Sequence, residues 1–93
     1  MIKVAIAGGA GYTAGEFIRI LINHPEAELK YIHSESHKGD PVHKVHQDLL
    51  YLQLNFSDID FSDIDVLFLC MGHGVSAEFL KNNEIPEQVK IID

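Results

Sequence analysis

The segment Gly8-Gly9-Ala10-Gly11-Tyr12-Thr13-Ala14-Gly15 carries the clearest chemical signal in the sequence. It fits G-x-x-G-x-x-A from Gly8 and also G-x-G-x-x-A from Gly9, so spacing alone leaves the register open. Both registers share one physical meaning. Glycines permit a tight turn and close backbone approach, and the free amides at the start of a following helix receive a diphosphate. Ala14 is small enough for that helix to pack closely on the sheet. A turn that merely joins strand to helix is the plainer alternative. The order strand, glycines, helix favours nucleotide binding, with Gly8, Gly9, Ala10, Gly11, Tyr12, Thr13 and Ala14 as the phosphate loop.

The residues expected after the second strand are His33-Ser34-Glu35-Ser36-His37-Lys38. An acidic residue there suits the ribose 2′-hydroxyl of NAD, whereas hydroxyls and a cation suit the 2′-phosphate of NADP. Ser34, Ser36 and Lys38 together favour NADP; Glu35 argues the other way unless it points outward. His33, His37, His43 and His46 invite a zinc site, but no cysteine or helix organises them, and they are expected to be surface histidines. Cys70 lies in an apolar run and is expected to pack as a small, poorly reactive thiol. Met71, His73 and Gly74 follow it, where the nicotinamide half of a dinucleotide would pass, and His73 is expected to line the cofactor rather than move protons.

These groups need elements to hold them. Residues 2–7 form a short β-branched apolar run that reads as a strand buried on both faces. Phe17, Ile18, Leu21 and Ile22 recur at helical spacing until Asn23-His24-Pro25, where proline forbids continuation. Leu29, Tyr31 and Ile32 give a second strand, closing a βαβ unit. A polar excursion follows from Glu35 to Asp48, and the alternation of Leu50, Leu52, Leu54 and Phe56 predicts a short third strand over 49–56. The near repeat Ser57-Asp58-Ile59-Asp60 and Ser62-Asp63-Ile64-Asp65 lacks the glycine and terminal glutamate of a calcium loop and reads as a polar connection. Val66 to Cys70 is a core strand, Gly72-His73-Gly74 a turn, then a helix through Asn83 and a strand over Val89 to Ile92. The expectation is an α/β, Rossmann-type, doubly wound parallel sheet of strand order 3-2-1-4-5, truncated after about five strands. The site belongs at the carboxyl ends of strands one and four.

Seven Lys and Arg against fourteen Asp and Glu give a formal charge of -7, which disfavours nucleic acid and anionic membranes as partners. One cysteine excludes an internal disulfide and suits a reducing, cytoplasmic compartment. Residues 1–93 form one dinucleotide-binding domain, and the ending at Ile91-Ile92-Asp93, on the tip of a core strand, suggests a longer enzyme.

The run Gly8 to Glu16 with Ile18-Arg19-Ile20-Leu21, together with Asn23-His24-Pro25, Ser34 to Gly39, Val45-His46 and His73-Gly74, resembles the opening of N-acetyl-gamma-glutamyl-phosphate reductases. The resemblance implies NADP-dependent reduction of N-acetylglutamyl 5-phosphate to the 5-semialdehyde in arginine biosynthesis, through a cysteine thioester, in a homo-oligomeric enzyme. That family's asparagine-proline-glycine-cysteine motif is absent here, so no catalytic residue is assigned. Two positions depart from the family's pattern: Glu35 stands where arginine is common, and Gly72 where proline is common. Rival readings are an aspartate-semialdehyde-dehydrogenase-like reductase domain, a dinucleotide sensor without chemistry and a flavodoxin-like module.

Overall fold

The computed structural model describes residues 1–50 and 52–93, with His73 described by its backbone. Four strands form one parallel sheet: β1 (Ile2–Ala7), β2 (Ala27–His33), β3 (Val66–Leu69) and β4 (Lys90–Ile92), in the order β2-β1-β3-β4. Helix α1 (Tyr12–Ile22) links β1 to β2, and α2 (His73–Asn82) links β3 to β4. Because side chains alternate across a strand, β1 feeds two cores. Val4 and Ile6 pack with Ala14, Ile18 and Leu21 of α1, while Ala5 and Ala7 pack with Leu67, Leu69 and, beyond them, Phe79 of α2. The two helices therefore cover opposite faces, and the winding reverses beside β1.

Helix α1 starts where the glycines end and stops at Asn23, whose side-chain amide donates to the Arg19 carbonyl at 2.9 Å. The expected third strand is not formed among the described residues; Tyr51, which lies in that stretch, is outside them. The physical reason is local pairing. Val42 N–H donates to the Leu54 carbonyl (2.9 Å), Phe56 N–H to that of Asp40 (2.8 Å) and Gly39 N–H to that of Phe56 (2.8 Å), so the segment folds back on 39–42. Its apolar alternation is consumed there, with Leu49 and Phe56 buried beside Val42 and Leu50 left exposed. Among the described residues the sheet consequently has four strands rather than five.

The predicted turn at Gly72-His73-Gly74 is also corrected. Gly72 is the extended residue before α2, and His73 and Gly74 are the first two residues of that helix. The Ser57 to Asp65 connection is structural. Asp60 accepts from the Ser62 backbone N–H and hydroxyl, and Asp63 binds Lys3, Lys30 and the Tyr31 hydroxyl, tying β1 and β2 to the short 3-10 turn Phe61–Asp63.

Candidate dinucleotide site

The glycine turn leaves β1 between the ends of its two neighbours and is held by both. Gly8 has φ +79°, a left-handed conformation that favours glycine, and a Cβ there would stand 3.0 Å from the Cys70 carbonyl oxygen. The Gly9 N–H donates to the His33 carbonyl at the end of β2 (2.7 Å), and a Cβ on Gly9 would collide with the Ile32 side chain. On the far side, Met71 approaches Gly8, and the Met71 carbonyl accepts from the buried Ser76 hydroxyl at 3.1 Å. The ends of β1, β2 and β3 thus meet around two glycines.

Gly11 precedes α1 in an extended conformation, with no side chain capping the helix and no acidic residue in its first turn. The first amides of the helix therefore lack intrahelical acceptors and present partial positive charge. Gly11, Tyr12 and Thr13 are exposed, Ala10 is half-buried, and Ala14 is buried against the sheet.

At the end of β2, Ser34 is buried and its hydroxyl lies 3.5 Å from that of Ser36. Lys38 turns elsewhere: its ammonium pairs with Asp58 at 2.8 Å, both side chains being exposed. That pairing holds the Asp58 carboxyl below the usual range, through the hydrogen bond from Lys38 first. The Glu35 side chain is 92% exposed, with one oxygen 3.1 Å from His33 Nε2. His33, Glu35 and Asp58 line a depression floored by Ile59, Phe61 and Phe79. The structure thus brings Ser34 and Ser36 together beside the glycine turn and leaves Lys38 on a carboxylate. Gly74 is exposed in the first turn of α2, and the His73 side chain lies outside the described residues.

Cys70 is half-buried, and burial pushes its thiol up, away from the thiolate that a nucleophile needs. Two histidines depart from the surface expectation: His33, whose side chain is only 12% exposed and packs on Phe79, and His46. His46 is 7% exposed, with Nε2 2.7 Å from the Gly9 carbonyl oxygen. Nothing local in the sequence signals this, because the partners are a backbone carbonyl 37 residues away and the bare Cα of Gly15.

The excursion that carries His46 is anchored on α1 by Arg19, whose Nε and NH2 donate to both oxygens of Asp48 at 2.7 and 2.8 Å. The hydrogen bond from Arg19 holds the Asp48 carboxyl at about 2. Since its folded value lies below the unfolded one, the pair contributes stability above about pH 4, and that contribution is lost as pH falls toward 2. A carboxyl titration followed by NMR is expected to show a midpoint near 2 for Asp48, returning toward about 4 in Arg19→Gln.

The family model for the semialdehyde dehydrogenase NAD-binding domain matches residues 3–93. The chain belongs to that family. It is 52% identical over 95 residues to N-acetyl-gamma-glutamyl-phosphate reductase of Bacteroides fragilis (strain YCH46), a match covering all of this chain and 30% of that protein. It is 47% identical over 94 residues to the enzyme of that name from Christiangramia forsetii, covering all of this chain and 29% of that protein. The chain therefore spans about three-tenths of the length of these relatives. Among solved structures, aspartate semialdehyde dehydrogenase with NADP from Candida albicans superposes with a TM-score of 0.72 at 19% identity, over 87% of this chain and 26% of that one. That likeness establishes the Rossmann-like α/β fold of this family member. Among the described residues no helix is long and apolar enough to cross a membrane.

Proposed function

We propose that this chain is the NADP-binding portion of an N-acetyl-gamma-glutamyl-phosphate reductase, which reduces N-acetylglutamyl 5-phosphate to N-acetylglutamate 5-semialdehyde in arginine biosynthesis. The observation that carries the reading is the glycine turn seated between the ends of β2 and β3 and opening onto an uncapped helix. The relatives named above support the choice of reaction. Gly8 to Ala14 would hold the diphosphate through backbone amides, and Ser34, Ser36 and Lys38 the 2′-phosphate side. Met71, His73 and Gly74 would flank the nicotinamide. Bound NADPH supplies hydride; the residues of this chain bind and orient it.

NADP rather than NAD is favoured by the adjacent hydroxyls of Ser34 and Ser36. Calorimetric titration at low salt is expected to show NADPH binding more tightly than NADH. Binding of neither by the folded chain would remove the dinucleotide reading, and tighter NADH would remove the 2′-phosphate pocket.

The Lys38–Asp58 pair sharpens this expectation. A 2′-phosphate would compete with Asp58 for the ammonium, and an exposed, solvent-screened pair of this kind is held only weakly. Asp58→Asn is therefore expected to tighten NADPH roughly two- to fivefold and to leave NADH unchanged. Equal changes for both cofactors would place Lys38 away from the 2′ position.

A further inference from the structure

We infer that His46 is a positioning residue for the dinucleotide loop, fixing the Gly9–Ala10 peptide so that its N–H is presented to the ligand. The inference rests on the dinucleotide reading and assigns a residue to it.

A carbonyl oxygen only accepts, so the 2.7 Å contact between Gly9 O and His46 Nε2 requires that Nε2 carry the hydrogen. The peptide is trans and planar, so a carbonyl drawn toward His46 directs the Ala10 N–H to the opposite side. Among the described residues that N–H has no acceptor in the chain. The preceding peptide plane is fixed independently by the Gly9 N–H bond to the His33 carbonyl. Two successive planes of the turn are thus set from two different elements, and His46 supplies the second.

The imidazole is itself tightly placed. A Cβ on Gly15 would stand 2.8 Å from Nδ1, so the ring spans from the turn at Gly9 to the first turns of α1, and only a glycine at 15 leaves room for it. The His46 N–H bonds the Val42 carbonyl at 3.0 Å, and its own carbonyl accepts from Leu49 at 3.0 Å. Two residues on, Asp48 clamps Arg19 of α1. The polar excursion therefore works as a strut, and its one buried histidine reaches the peptide that borders the expected diphosphate.

The test compares the 93-residue chain with His46→Leu and His46→Gln, measuring NADPH affinity and thermal midpoint for each. Glutamine keeps a side-chain N–H donor at roughly the reach of Nε2, whereas leucine fills the space without one. The expected result is about a tenfold loss of affinity in His46→Leu and recovery to within about threefold of the wild-type chain in His46→Gln. Equal affinity of all three would overturn the positioning role while leaving the dinucleotide reading intact. Failure of the folded wild-type chain to bind would overturn both. Should His46→Leu not fold, nitrogen-15 spectra of the wild-type chain decide: Nε2 is expected to be protonated, and the Ala10 amide to shift on addition of NADPH. An unprotonated Nε2, or an Ala10 amide that does not respond to bound NADPH, would overturn the proposal.

Discussion

Gly9→Ala is expected to destabilise the chain by about 2–3 kcal/mol or more, the upper part of the range of about 1–3 kcal/mol for forcing extra volume into a well-packed site. The added methyl would meet Ile32 Cγ2 at a separation no real pair of carbons tolerates, with the His33 carbonyl 3.2 Å away and the Phe56 ring 3.3 Å away. Ile32 and Phe56 are both buried in the α1-side core, so neither can yield without opening it. Backbone retreat is also blocked, because the Gly9 N–H and C=O are both committed, to His33 and His46. Chemical denaturation followed by circular dichroism measures the loss. A variant as stable as the wild-type chain would mean that the glycine turn and β2 do not approach this closely in solution. Any loss of dinucleotide binding in this variant follows from damage to the fold and says nothing about the ligand.

The elements around that clash were legible because their signals are local. The apolar run before Gly8 and the helical spacing of Ile18 and Leu21 each specify a structure within a few residues, and both formed as expected. That glycines here permit a tight turn is a signal of the same kind, although the sequence left open which of them takes the positive φ found at Gly8. What sequence could not decide were the pairings made at a distance. Alternation of Leu50, Leu52, Leu54 and Phe56 records that one side is buried, but not against what, and the segment turned to 39–42 rather than to the sheet. Lys38 looked free because its partner Asp58 lies 20 residues further along, in a stretch read as a solvated connection. His46 looked like a surface residue because its neighbours Val45, Gln47 and Asp48 belong to a polar stretch; its burial depends on Gly15 having no side chain. That glycine lies outside the fingerprint in either register, so a pattern of phosphate-loop glycines gives it no purpose.

Gly11→Ala separates the glycine that the fold requires from the one that a ligand requires. Among the described residues nothing beyond Gly11's own chain neighbours comes closer than 3.9 Å to a Cβ there, and its φ of -78° and ψ of 167° suit any residue. Alanine there restricts the unfolded chain, which stabilises by about 0.4–1 kcal/mol, and is a poorer residue before a helix than glycine by a comparable amount, which offsets that gain. The net change in stability is therefore expected to lie within about 0.5 kcal/mol. Binding is expected to respond differently. On the proposed dinucleotide reading, the same open space is where a diphosphate would come down onto the first amides of α1, and a methyl group there would hold the phosphate oxygens off those donors. Hydrogen bonds to a charged group contribute about 1.5–3 kcal/mol each, so lengthening one or two of them should weaken NADPH at least tenfold. The two measurements, unfolding and calorimetric titration, are made on one variant. Stability retained with affinity lost means that Gly11 serves the ligand. Stability and affinity both retained would mean that the diphosphate does not approach Gly11, and the cradle would then have to lie nearer Gly9 and Ala10, on the peptide that His46 holds.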